Sequence, residues 1–343
     1  MPELHEKQVN NWCSIPVCPK DFNLFATLNS GQAFRWISKP TDNEWHGVIN
    51  GKLWRLRQID SSKPVEYYTL DKPTNTRSDL TDIPSDLFDY FRLGINLSDL
   101  IKEWCIRDEW FTSRFSDASS TDTARGLRLM RQDPVETLFA FITSANNNLT
   151  RITKLLYKLC SLYGDPLYLD DDGDGNVGNW TFPSLEVLAQ PKMISELQNI
   201  GFGYRSKFIV QAADWLLKNG GKSRLYELRT IPHSEAQAFL TQIPGIGKKV
   251  ADCICLTSLD KLNVVPIDVH MHRAAYERKI PEASRKNVTT KSYNVISKSL
   301  SNIWGEYAGW AQTIHFYTRM MDSKPNKKFK DMMHHVTSTD LSE

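Results

Sequence analysis

IPGIGKKVADCICLTSLDKLNVVPIDVHMH, residues 243–272, carries the densest run of signals in the chain. Pro244, Gly245 and Gly247 make a turn too compact for side chains, because glycine alone accepts positive φ freely and lets another backbone come close. No helix breaker interrupts residues 248–258, so a helix is expected to begin directly after the turn, with its first amides pointing outward. Such a terminus suits an anion such as a phosphate. Residues 234–242 read as a short polar helix, which completes a helix, hairpin, helix unit.

Lys249 and Cys253 stand at i, i+4 and share one helix face, whereas the 3.6-residue period turns Lys248 about 100° away. One lysine is therefore expected to look inward and the other to stay in water. Further on, Pro266 ends an apolar run and Asp268 takes the position of an N-cap ahead of residues 269–278. Amide donors and a helix dipole keep a carboxylate there ionised, suited to stabilising positive charge rather than abstracting protons. Taken singly, the glycine turn is a loop, Lys249 a solvated lysine and Asp268 a cap. Their joint spacing is what points to chemistry.

A chain of 343 residues with 41% apolar content is long enough for a sizeable core and for two or three subdomains. A net charge of +2 leaves the global field neutral on nucleic-acid binding, so any such contact rests on local basic clusters and backbone amides. Six cysteines (Cys13, Cys18, Cys105, Cys160, Cys253, Cys255) form no secreted disulfide framework, and neither a signal-peptide pattern nor a membrane-length apolar run is visible. A reducing compartment and no membrane partner are expected.

The fold class expected is α+β. Residues 1–85 read as an antiparallel sheet domain, in which residues 44–49 and 52–59 flank Asn50-Gly51, the strongest short hairpin signal, with period-2 alternation through Leu53, Arg55 and Arg57. Residues 86–320 read as a helical region in two subdomains holding the helix-hairpin-helix at about 234–258, and residues 321–343 as a basic flexible tail. Asp133-Pro134-Val135-Glu136 is a helix start with a cap, an N1 proline and a reciprocal acid, and Ser206 is placed as the cap of a helix ending at Asn219-Gly220-Gly221. Asp170-Asp-Asp-Gly-Asp-Gly-Asn176 matches an EF-hand loop at positions 1, 3, 5 and 6. Thr181 stands where the bidentate glutamate belongs, so it reads as an acidic surface insertion and no metal is expected.

Leucine 240 to leucine 256, followed by Val265-Pro-Ile-Asp-Val-His270, resembles the helix-hairpin-helix and aspartate of the 8-oxoguanine DNA glycosylase/AP lyase family, and the likeness covers most of residues 22–320. No cysteine follows Cys255, which excludes the iron–sulfur loop of some helix-hairpin-helix glycosylases; no cofactor is expected. The resemblance implies a monomer that acts on damaged double-stranded DNA, with Lys249 as nucleophile and Asp268 as its acid. It implies that Leu28-Asn-Ser-Gly-Gln-Ala-Phe-Arg-Trp36 presents the Gly31 carbonyl to the lesion, although Gly31 alone reads as a turn residue. Oxidation at C8 turns guanine N7 into a donor, so that carbonyl discriminates by about 1–3 kcal/mol, the cost of an unsatisfied buried group.

By the same likeness Phe316 and Cys253 sandwich the extruded base and Gln312, at i, i+4 from Phe316, reads its Watson–Crick edge. Asn146 fills the vacated hole, Arg151 and Arg205 reach the orphaned cytosine, Tyr204 wedges into the duplex, and Gly245, Gly247, Val250 and His270 grip phosphates. On residues alone, the asparagines read as a fraying helix end and Tyr204-Arg205 as surface packing. A partly desolvated pocket is expected to lower the Lys249 pKa and free its amine for Schiff-base formation and β-elimination. One departure is Arg319, where the family carries an acid that orients the histidine at the position of His270. The rivals are a helix-hairpin-helix glycosylase for another damaged purine and a non-catalytic DNA-binding protein. Lys324, Lys327, Lys328 and Lys330 suggest nuclear import; a mitochondrial share stays open, with Glu3 and Glu6 making a poor transit peptide.

Overall fold

A computed structural model describes residues 12–39, 43–68, 83–117, 122–168, 177–284 and 288–322. The acidic run 170–176 and the lysines from 324 to 330 lie outside the described residues. Five strands, β1 (Trp12–Ser14), β2 (Ile37–Lys39), β3 (Glu44–Ile49), β4 (Lys52–Arg57) and β5 (Glu66–Tyr68), form one antiparallel sheet in the order β1-β5-β4-β3-β2. Asn50 and Gly51 both adopt positive φ, 50° and 75°, as a type I′ turn requires, and they set Ile49 opposite Lys52. The expected alternation is blunted in β4, where only Leu56 is fully buried, because Arg55 and Arg57 lie over Tyr68 and Trp12 instead of standing in water.

Eight helices position the site: α1 (Pro134–Ser144), α2 (Leu149–Tyr163), α3 (Arg205–Lys218), α4 (His233–Leu240), α5 (Lys248–Ser258), α6 (Val269–Glu277), α7 (Thr290–Trp304) and α8 (Ala308–Asp322). Two helical cores lie beside the sheet core. Residues of α1, α2 and α3 share one with Ile254 and Cys255, and α6, α7 and α8 share the other with Leu256. Thus α5 is the partition between them, apolar on both sides, and Leu149 packs against each core. Gly309 brings α8 onto it: a Cβ there would sit 2.2 Å from Leu256 Cδ1, which only hydrogen tolerates.

Tertiary partners revise two local readings. Asp133 caps α1 by accepting from the Glu136 amide at 2.9 Å, but the Glu136 carboxylate does not reach back; it pairs with Arg35 Nη1 at 2.5 Å. Ser206 is not a cap. It lies inside α3, buried, with its hydroxyl donating to the Gly203 carbonyl at 2.8 Å, and Tyr204 stands at the cap position with no side-chain bond to the helix's own amides. The helix-hairpin-helix forms as expected, with Ile243 and Ile246 buried beneath the turn as its anchors.

Candidate active site

Between α5, α8 and the loop after β1 lies a cavity of about 80 Å3, lined by Gly31, Phe141, Lys249, Cys253, Asp268, Gln312 and Phe316 among others. Gly31 has φ +79°, and a Cβ on it would meet Leu149 Cδ2 at 3.4 Å and Phe316 Cε1 at 3.5 Å. Gln32 fixes this loop: its amide donates to Ser30 Oγ and to the Arg128 carbonyl at 2.8 Å and accepts from the Met130 amide at 2.8 Å, while Gln132 donates to the Gln32 carbonyl at 2.6 Å. Gln312 is 9% exposed and its amide makes no hydrogen bond to any described residue. A buried amide in that condition is complete only with a ligand or water in the cavity.

Asp268 caps α6, its carboxylate accepting from the Met271 amide at 2.8 Å. Lys249 Nζ stands 6.0 Å from the centre of the Phe141 ring. The lysine remains exposed at the cavity mouth, and it is Lys248 that is half-buried, over the Tyr293 ring at 5.7 Å on the other side of α5. The expectation of one inward and one wet lysine is corrected to two lysines serving two sides. The expected lowering of the Lys249 pKa is also corrected. The Cys253 sulfur first, with Asp268 behind it, sets the Lys249 ammonium above the ordinary lysine value against desolvation. Burial pushes the Cys253 thiol up, so at neutral pH Cys253 is an uncharged wall and the Asp268 carboxylate is the anionic neighbour.

His270 stands edge-on to Phe316, ring centres 5.4 Å apart at 86°. Arg319 turns from it, pairing with Glu277 and donating Nε to His315 Nδ1 at 3.3 Å, so α8 supplies His270 with no acid. Across the surface, Asn146 is exposed at φ +49° in the turn between α1 and α2; Asn148 there is the cap of α2, accepting from the Arg151 amide, so the run is a turn and not a fraying end. Tyr204 is 52% exposed, its hydroxyl on the Ala145 carbonyl at 3.2 Å, and Arg151 Nη2 donates to the Gly201 carbonyl at 2.9 Å. Arg205 is 4% exposed and its donors are spent beneath the turn, on the Ala145 carbonyl at 2.8 Å and the Asn146 carbonyl at 2.9 Å. In this structure it shapes the turn rather than presenting a free fork. Phe208, whose ring atom Cγ would lie 2.9 Å from a Cβ on Gly245, joins this edge to the hairpin. Gly247 has nothing within 4 Å of its Cβ position, and the first-turn amides, Val250 among them, lie beside that open space.

A family model described as "8-oxoguanine DNA glycosylase, N-terminal domain" matches residues 14–138. The N-glycosylase/DNA lyase OGG1 of Arabidopsis thaliana is 33% identical over 324 residues, 94% of this chain and 84% of that protein. The chain belongs to the N-glycosylase/DNA lyase family. A Saccharomyces cerevisiae N-glycosylase/DNA lyase is 31% identical over 325 residues, covering 85% and 82%. The solved structure of MBOgg1 in complex with a low-affinity DNA ligand superposes with a TM-score of 0.71 at 27% identity, covering 88% of this chain and 94% of that one. This glycosylase/lyase is accordingly a bifunctional DNA-repair enzyme. Sequence reasoning missed Phe141, a wall of its cavity, because inside an apolar helical run it is indistinguishable from core, and it missed Gln132, which lies 100 residues from the carbonyl it holds.

Proposed function

We propose that the protein flips 8-oxoguanine, paired with cytosine, into the cavity at α5, displaces it with Lys249, and nicks the strand by β-elimination. The observation that carries this reading is the meeting of Lys249 and Asp268 with Gly31 and a Gln312 amide that has no partner among the described residues, around one cavity. A base stacked in a duplex is out of reach of a side chain, so it must leave the stack first. Lys249 attacks C1′ as the free amine, and the base departs with the bonding electrons and takes up a proton. Asp268 offsets positive charge on the sugar. The ring-opened Schiff base then loses its C2′ proton, the 3′ phosphate leaves, and hydrolysis returns the lysine.

The Gly31 carbonyl accepts from the N7 hydrogen that only the oxidised base carries, Gln312 reads the far edge, and Phe316 and Cys253 enclose the ring faces. Tyr204 and Asn146 sit where a wedge and a plug would enter the duplex, and Gly245, Gly247, Val250 and His270 face the backbone phosphates. We place the enzyme in the nucleus on the strength of the lysines between 324 and 330, and as a monomer on the strength of the family likeness; a fluorescent fusion and static light scattering check the two points. Borohydride trapping on a duplex with 8-oxoguanine opposite cytosine tests the whole: wild type cross-links and Lys249→Gln does not. Cross-linking only on another damaged purine, or binding without any cross-link, replaces this reading with one of its rivals.

A further inference from the structure

On the side of α5 away from the catalytic cavity lies a second cavity, about 240 Å3, lined by His233, Gln237, Lys248, Asp252, Tyr293 and their neighbours. At its base Asp252 is 1% exposed, a carboxylate buried almost completely. Its Oδ1 receives His233 Nε2 at 2.8 Å and the Gln237 amide, both from α4, and its Oδ2 receives the Tyr293 hydroxyl of α7 at 2.7 Å. The same phenol oxygen accepts the Ile267 amide at 3.3 Å. Burial pushes the Tyr293 phenol far above the ordinary tyrosine value, so it keeps its proton and donates it to Asp252. One turn on, Ser297 donates to the Val265 carbonyl at 2.8 Å.

These bonds have a common geometry. Asp252 is three residues beyond Lys249 on α5, and Ile267 immediately precedes Asp268. The lysine and the acid therefore ride on different pieces of chain, and α7 is a bracket bonded to both. We propose that Tyr293, through Asp252 on one side and Ile267 on the other, is a positioning residue that sets the separation of Lys249 from Asp268. The proposal rests on reading those two residues as the reacting pair. A buried carboxylate with three donors is a stiff node, since moving any one partner strands a charge away from water. Stiffness matters because a displacement of about 1 Å at a reacting group costs on the order of 100-fold in rate.

Tyr293→Phe tests this in the full-length protein. The ring and the Lys248 stack stay, and the bonds to Asp252 and Ile267 go. Single-turnover excision of 8-oxoguanine should fall by roughly 10- to 100-fold, while affinity for the same duplex stays within about twofold. The pH midpoint of borohydride trapping should also move down. The Cys253 sulfur on α5 and the Asp268 carboxylate on its loop both raise the Lys249 ammonium, Asp268 being the anion of the two at neutral pH, and a loosened Asp268 holds it less. A wild-type rate and midpoint in Tyr293→Phe overturn the proposal, as does a rate loss that follows only the unfolded fraction with the midpoint unmoved. Where Tyr293→Phe does not fold, Asp252→Asn, which keeps the side-chain volume, is read by the same two criteria. Wild-type protein that fails to trap sinks the catalytic reading instead, so the two failures are separable.

Discussion

At Gly31 the backbone sits at φ +79°, a region that costs an L residue roughly 1–2 kcal/mol. The space around it is not the obstacle, since a Cβ would meet Leu149 and Phe316 at ordinary contact distance. Gly31→Ala should therefore lower unfolding free energy by about 1–2 kcal/mol in urea titration. The relaxed loop also moves the carbonyl, so the ratio of 8-oxoguanine to guanine excision should fall; an unchanged ratio removes Gly31 from lesion reading. Lys249 gives a second expectation. Its pKa is raised, so through neutral pH the amine is the minority form, and each unit of pH increases it about tenfold up to that raised value. The trapping rate should climb with pH between 7 and 9, and Asp268→Asn, by removing the anion that helps hold the proton, should move the rise to lower pH while cutting the maximum rate. A flat profile would mean that the amine is already free in the complex.

The helix-hairpin-helix contains a matched pair of glycines with opposite duties. Gly245, at φ +87° and pressed on Phe208, is required by the protein itself, whereas Gly247 has a φ of −89° open to any residue and empty space in front of it. Gly245→Ala should destabilise the fold. Gly247→Ala should leave the melting temperature within about 1 °C and weaken duplex binding several-fold, because its methyl occupies the approach of a phosphate to the first-turn amides; unchanged affinity would place the backbone elsewhere. This unit was also the most legible in the sequence. The bounds of α5, the Asp268 cap and the Gln312–Phe316 pairing follow from local rules of φ, capping and helical period. What stayed hidden depends on distant partners. Glu136 has the right place for a reciprocal cap and is drawn instead to Arg35, 101 residues away. Arg205 looks like a free surface fork, yet the Ala145 and Asn146 carbonyls claim it. The Lys249 pKa followed the same logic: desolvation was foreseeable, and the sulfur and carboxylate that overrule it belong to the folded site.

Across the whole molecule, the second helical core contains an imidazole that has no reason to be charged. His315 is 0% exposed, stacked on Trp110 with ring centres 4.0 Å apart, and holds its Nδ1 toward Arg319. Burial first, then Arg278, Arg319 and Arg114, depress its pKa from 6.5 to about 2. Protonation therefore favours the unfolded chain: the neutral histidine's contribution is complete above the unfolded value and is lost as pH falls from about 6.5 toward 2. A single proton of this kind costs about 1.4 kcal/mol per pH unit, so stability should drop by roughly 2 kcal/mol between pH 7 and pH 5 from this residue alone. Other groups titrate over the same range, which makes the difference against His315→Leu the informative quantity. That variant removes the titration and keeps an apolar side chain of similar bulk between Trp110 and Trp304. Urea unfolding at pH 7, 6 and 5 should show the stability of wild type relative to His315→Leu shrinking by that amount as the solution is acidified. A constant difference would mean that His315 takes up its proton without leaving the core, with Nε2, which has no partner among the described residues, finding an acceptor inside it.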